Sequence, residues 1–243
     1  MTMTLSASSA TATDIRVLSV GSVQIAAKAI AKRFTQETGH HVVFTIVSPD
    51  RIAGRLAAAP YDMLIASVPV IAGLDKAGAL RSGTRAPLSR AGIGVMVRDG
   101  GAVPDVSTPD AFKKTLLAAR SIAYGDPKLP NQSGEVTVRI LTRAGILDAV
   151  KAKLRAAGLG PGLALVAKGE VELALFNQVE LPKGVRLAGP VPRPLQDYTF
   201  YEAAVLAKGA APAEAQAFIR RLASPDSRAA WQAARLDAYP YPR

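Results

Sequence analysis

Two short stretches of the chain carry residues able to hold an anion. In residues 121–141 (SIAYGDPKLPNQSGEVTVRIL) a brief apolar run ends at Tyr124, and Gly125-Asp126-Pro127 turns the chain. Ser133-Gly134 then precede a helical face of Val136, Ile140, Leu141 and Ala144. With Ser133 as the N-cap, its hydroxyl and the free N–H groups of the first turn point out of the helix end, where the helix dipole also favours negative charge. Residues 15–34 repeat the order: a strand over 15–19, a loop of Val20-Gly21-Ser22, and a helix face of Val23, Ala26, Ala27, Ile30 and Phe34. Two such ends facing each other would clamp one anion. A third strand-to-helix passage runs from 42–46 through Val47-Ser48-Pro49-Asp50 to Ile52 and Leu56. There Ser48 or Asp50 serves either as a plain N-cap or as a further ligand contact.

Other chemistries find little support. The chain has no cysteine, which removes disulfides, thiolate metal sites and cysteine nucleophiles. His40-His41 would point to opposite faces of a strand, and there is no third histidine to complete a metal site. The run Gly158-Leu159-Gly160-Pro161-Gly162 follows a predicted helix and matches neither G-x-G-x-x-G nor the P-loop spacing. No G-x-S-x-G is present. A formal net charge of +11 favours anionic partners, yet Lys113-Lys114, Lys151 with Lys153 and Arg155, and Arg220-Arg221 fall on predicted helices as solvated faces. Aromatic residues make up 5% and do not interleave with the basic ones, so a base-stacking surface for nucleic acid is not expected.

The elements that position these residues alternate short Val/Ile/Leu runs with helical periods, the pattern of an α/β protein. At 243 residues, a pair of interlocked lobes is the expected organisation. Strands are predicted over 61–66, 87–97, 171–176, 185–188 and 199–206, with Asn177-Gln178 as the polar end of one of them. Helices are predicted over 68–80, from Thr108-Pro109-Asp110 onward, over 146–157, 163–168 and 212–223, and again after Ser224-Pro225-Asp226, with Trp231 as a core anchor. Residues 1–14 are rich in Ser, Thr and Ala and read as a disordered tail. They show neither a basic n-region nor an apolar h-region, and no run is long enough to span a bilayer. On this reading the protein is cytoplasmic, or a leader has been replaced or omitted.

Gly21-Ser22 before a helix, Ser48 to Asp50 before I-A-G-R-L, Y-D-M-L-I-A, the G-D-P of Gly125 to Pro127 and the V-E-L-A-L-F strand together resemble the molybdate-binding family of periplasmic solute receptors, over residues 15–234. The resemblance implies an α/β, bilobal type II periplasmic-binding-protein fold: two mixed sheets flanked by helices, with a ligand cleft between lobes. Lobe I would comprise 15–86 with 200–243, and lobe II, inserted, 87–199, closing by hinge motion with chain crossings near 85–89 and 194–199. The implied ligand set is Gly21, Ser22, Val23, Ser48, Asp50, Arg51, Tyr124, Ser133, Gly134 and Asn177, with no cofactor and no metal. Implied partners are a small anion, an oxyanion or a di- or tricarboxylate, and the membrane subunits of an ABC transporter. A monomer in the periplasm is expected. Alignment through I-A-G-R-L puts Pro49 where the family uses a serine, and Phe176 falls where it has a tyrosine hydroxyl, so two donors to a tetrahedral oxyanion are missing and molybdate should bind weakly. The alternative is an aconitate-isomerase-like enzyme, since such enzymes resemble the same receptors. Ser22, Tyr124, Asp50 and Glu135 are then the groups available for proton transfer.

Overall fold

The computed structural model describes residues 12–128, 133–178 and 181–241. From the N-terminus, β1 (Asp14–Val20) passes through one turn of 3-10 helix (Gly21–Val23) into α1 (Gln24–Thr38), followed by β2 (His41–Val47), α2 (Ile52–Ala58), β3 (Met63–Ser67), α3 (Val68–Lys76) and β4 (Ala86–Arg98). Next come α4 (Pro109–Ala118), β5 (Ile122–Gly125), α5 (Ser133–Arg143), α6 (Leu147–Val150), β6 (Leu154–Ala157), α7 (Leu159–Lys168), β7 (Leu173–Asn177) and β8 (Val185–Pro190). The chain returns through β9 (Tyr198–Val205), α8 (Pro212–Ala223), α9 (Arg228–Ala233) and β10 (Asp237–Ala238).

Burial explains the order of the strands. β3 is buried along its whole length and takes the centre, with β1 parallel on one side and β9 antiparallel on the other. The first sheet runs β2-β1-β3-β9-β4, with β10 on β4, and the second runs β4-β7-β5-β6, with β8 also on β4. β4 is shared: Ala86 to Gly92 pair with β9, whereas Ile93 to Arg98 pair with β7 and β8. The apolar side chains divide at the same place. Leu88 and Ala91 pack in the core that contains Ile15, Met63, Phe218 and Trp231, while Ile93 and Val95 pack with Phe112, Ile140 and Leu175. A smaller cluster around Met96, Leu163, Val166 and Phe176 fills the other face of the second sheet.

Several sequence expectations are amended. The chain crosses at Gly92 and Ile93 inside a continuous strand, past the expected 85–89, because one twisted strand can serve both sheets. Of the expected tail 1–14, residues 1–11 lie outside the described residues, but Asp14 opens β1 opposite His41, and the carbonyl of Thr13 accepts from the His41 N–H. Residues 146–157 are not one helix: a single turn, α6, and a 3-10 turn at Lys151–Lys153 give way to β6, which pairs with β5 from Leu154 to Ala157. Edge pairing overrides the helix propensity of this Ala/Lys/Arg-rich run. α7 begins at Leu159, four residues ahead of expectation, and so takes in Gly160, Pro161 and Gly162.

Candidate functional site

The parallel strands deliver their C-terminal ends to one cavity of about 540 Å3. From the first sheet, the β1 exit brings Val20, Gly21 and Ser22, the β2 exit brings Ile46 to Asp50, and the β3 exit brings Ser67. From the second, Ser133 starts α5, Gly158 to Pro161 start α7, and Asn177 ends β7; Tyr201 comes from β9. Four of these elements, α1 through its 3-10 turn, α3, α5 and α7, are helices beginning at the cavity wall, where first-turn N–H groups and the helix dipole favour an anion. Among the described residues that line it, there is no lysine or arginine.

Local sequence explains how the helix starts come so close. A Cβ on Gly125 would stand 2.3 Å from Ser133 Oγ, and one on Gly134 would stand 2.3 Å from the Gly125 carbonyl oxygen. Only glycine at both positions lets α5 sit directly on the end of β5. On the opposite wall, a Cβ on Gly162 would meet the Phe176 ring at 2.5 Å, so the third glycine of the 158–162 run seats α7 on β7.

The polar lining is unevenly satisfied. Thr199 Oγ1 donates to Asn177 Oδ1 at 3.3 Å, and Asn177 Nδ2 donates to the Tyr201 hydroxyl at 3.0 Å. Burial pushes the Tyr201 phenol up to about 12, against the smaller downward pull of the Ser22 hydroxyl and the Asn177 amide. Ser67 is different. It is 4% exposed and occupies the N-cap position of α3, yet it makes no cap bond, and its Oγ has no hydrogen-bond partner among the described residues. A buried hydroxyl without a partner on the wall of a cavity is a donor awaiting an acceptor.

The structure thus brings Gly21, Ser22, Ser48, Asp50, Ser133 and Asn177 of the expected ligand set to one cavity, with Pro49 among them. The other four expected residues lie elsewhere. Val23 is fully buried in the first core because it is the first inward position of the helix face. Arg51 is exposed at the end of the 3-10 turn Pro49–Arg51. Tyr124 packs against the second core rather than the cavity, since alternation along β5 turns it to the same face as Ile122. Gly134 lies against Gly125 and Pro127. Ser133 is itself the first residue of α5. Of the groups considered for proton transfer, Glu135 is exposed on α5 and outside the cavity lining. Phe176 is fully buried, but Tyr201 brings a phenol to the cavity from another strand.

Two mixed sheets sharing a strand, with helices starting at a common cavity, define a type II periplasmic-binding-protein architecture. The profile of the family described as bacterial extracellular solute-binding protein matches residues 15–234, and the chain belongs to that family. It is 31% identical over 224 residues to an aconitate isomerase from Pseudomonas sp, covering 88% of this chain and 84% of that one. It is 26% identical over 228 residues to the molybdate-binding protein ModA of Azotobacter vinelandii, covering 91% and 88%. The solved structure of an Azotobacter vinelandii periplasmic molybdate-binding protein superposes with a TM-score of 0.73 at 21% identity, over 91% of this chain and 98% of that chain.

Proposed function

We propose that the protein is a solute receptor that captures a small organic acid in the cleft between two lobes, the first running to Gly92 and resuming at Tyr198 and the second, from Ile93 to Asp197, inserted within it. The observation that carries this reading is the wall of helix starts and serine hydroxyls, with no lysine or arginine among the described residues of the lining, around a cavity that is also apolar at Val20, Ile46, Val47 and Leu159. Neutral donors bind an anion without a fixed counter-charge, and the hydrocarbon wall suits a carbon skeleton. Cavities of roughly 300–1,000 Å3 hold organic molecules, and this one lies in that range. A bare tetrahedral ion would leave the apolar wall uncovered, and at Pro49 it meets a residue with neither hydroxyl nor N–H. Delivery to the membrane subunits of an ABC transporter, from the periplasm, follows as part of the same proposal.

The 31% identity to an aconitate isomerase supports a second reading, in which the same cleft converts a tricarboxylate. Ser22, Asp50 and Tyr201 are among the proton-carrying side chains available there. A thermal-shift panel of cis-aconitate, trans-aconitate, citrate, sulfate and molybdate tests the receptor. An acid at about 100 times its dissociation constant stabilises by about 2.7 kcal/mol, which raises Tm by roughly 5–10 °C in a protein of this size. The carboxylates should produce that rise and molybdate should not. A flat response to every acid, or a response to molybdate alone, overturns the proposal. Proton NMR of recovered cis-aconitate separates the two readings, because a receptor returns it unchanged whereas an isomerase yields the trans form.

A further inference from the structure

Two stretches of chain pass between the sheets, and one side chain grips both. β4 leaves the first sheet at Gly92 and enters the second at Ile93, while the chain returns to the first sheet at Tyr198, the cross-strand partner of Gly92. Backbone groups at such a step still need partners. Gln196 supplies them: its Oε1 accepts from the Ile93 N–H at 2.9 Å and from the Asp197 N–H at 3.1 Å, and its Nε2 donates to the Ile93 carbonyl at 2.9 Å and to the Val191 carbonyl at 3.2 Å. Two donors and two lone pairs are the whole capacity of a carboxamide, so all of it is spent on backbone. A Cβ on Gly92 would stand 3.0 Å from Nε2, so the amide lies against the glycine at the step. From β7, the Gln178 N–H donates to the Gly92 carbonyl at 2.9 Å.

The returning stretch is also tied to the cleft. α5 begins at the cavity wall with Ser133, and Arg139 and Arg143, one turn apart on one face, hold residues 195–197 from its other end. Arg139 Nε donates to Asp197 Oδ2 at 2.7 Å, and Arg143 Nη1 donates to the carbonyls of Leu195 at 3.0 Å and Gln196 at 2.8 Å. On the first-sheet side, Arg90 is ion-paired to Asp237 at 2.9 Å and lies over the Tyr198 ring at 3.9 Å. Between these two sets of bonds stand Gly92 and Tyr198.

We propose that Gln196 is a hinge pin: it fixes both crossings to the second lobe, so that the lobes turn about the pair Gly92 and Tyr198, and α5 joins that pin to the cleft wall. The assignment rests on the two-lobe receptor reading. Hinges concentrate their dihedral changes in a few residues, and with Ile93 and Asp197 held by one amide the two strands must bend at the same level. Arg139 and Arg143 carry Ser133 along as part of the same body, so a ligand drawn onto the α5 start turns the second lobe as a unit. An orientation held before the ligand arrives is not an entropy cost at binding.

The chain contains no cysteine, so spin labels attached through Lys28→Cys on α1 and Lys114→Cys on α4 report one distance between the lobes. In ligand-free protein, Gln196→Leu should widen the distance distribution from pulsed electron double resonance about twofold, because a pinned ensemble becomes a freer one. Gly92→Ala crowds the amide and leaves Gln196 in place; it should widen the distribution too, and added to Gln196→Leu it should do nothing more, since both act through one contact. It also serves as the test variant if Gln196→Leu does not fold. A Gln196→Leu protein with lowered Tm but wild-type width marks an amide that only stabilises and overturns the proposal, as does additive widening in the double variant. With saturating trans-aconitate the wild-type and Gln196→Leu distributions should coincide, and calorimetric affinity should fall about fivefold in the variant, because the ligand must then order the hinge itself. Unchanged affinity alongside a widened distribution overturns the link between pin and cleft. Failure of trans-aconitate to move the label distance in wild-type protein counts against the receptor reading, and the ligand-free widths then decide the pin alone.

Discussion

One cavity of about 840 Å3 is lined by Arg90, Gly92, the start of α4 and the proline-rich loop from Pro190 to Pro194, whereas the cleft measures about 540 Å3. Size favours the first. Several of its polar groups, however, are already engaged. Arg90 is ion-paired to Asp237 at 2.9 Å and lies over the Tyr198 ring at 3.9 Å. Gln196 accepts from the N–H groups of Ile93 and Asp197 and donates to the carbonyls of Ile93 and Val191. Thr108 Oγ1 caps α4 by accepting from the Ala111 N–H, and Asp105, held below the usual carboxylate range by its bonds to Ser107, is likewise occupied. In the cleft, by contrast, Ser67 is buried with no partner among the described residues, and several helix starts face the space. Unmet hydrogen-bonding capacity, rather than volume, is what marks a binding surface.

The largest expected effect comes from the glycine pair under the cleft. Gly134→Ala forces a methyl group into backbone atoms at 2.3–2.8 Å, so α5 must lift off β5. The cost should be about 2–3 kcal/mol, read as a Tm lower by roughly 5–10 °C, together with loss of the carboxylate-induced shift. A variant that melts with wild-type Tm and binds normally would show that the contact does not matter.

Substitution at single donors sharpens the contrast between the cavities. Ser67→Ala should weaken calorimetric binding of the acid identified by the thermal-shift panel about 10-fold, corresponding to a hydrogen bond of about 1.5 kcal/mol to a charged group. It should slightly stabilise the free protein, because a buried orphan hydroxyl is removed. Arg193→Ala in the wider cavity should leave affinity within about twofold. The reverse pattern would transfer the binding site to the proline-rich cavity.

The smallest effect is an alkaline one. Tyr201 ionises near 12 when folded, against a reference value of 10.0. Below pH 10 the phenol is protonated in both states and its contribution is complete. As pH rises from 10 to about 12 only the unfolded chain releases the proton, so stability declines across that window. Tyr201→Phe should flatten the fall of Tm there, and an unchanged slope would mean that the phenol is reached by water.

The helix starts were legible in the sequence because their signals are local. Ser22 and Ser133 stand between an apolar run and a helical period, and Thr108-Pro109-Asp110 does give a capped helix. The misreadings have long-range causes. Residues 154–157 carry no strand signal of their own and become β6 through pairing with β5. The 158–162 glycines and proline looked like a loop, since the contact that makes them a helix start, Gly162 on Phe176, joins distant parts of the chain. Tyr201 fits the alternating pattern of β9 and looks like an ordinary strand aromatic; nothing near it in sequence marks it as part of the cleft. Ser67 closes a fully buried strand and reads as a helix cap, and only its missing cap bond shows otherwise.

The sharing of β4 has a mechanical consequence. Pulling its first half out of register with β9 also strains the hydrogen bonds that its second half makes with β7 and β8, so neither core can come apart while the other stays whole. Two separate cores would ordinarily melt in two steps. Here calorimetry should record one transition whose van't Hoff and measured enthalpies agree, the behaviour of a single cooperative unit.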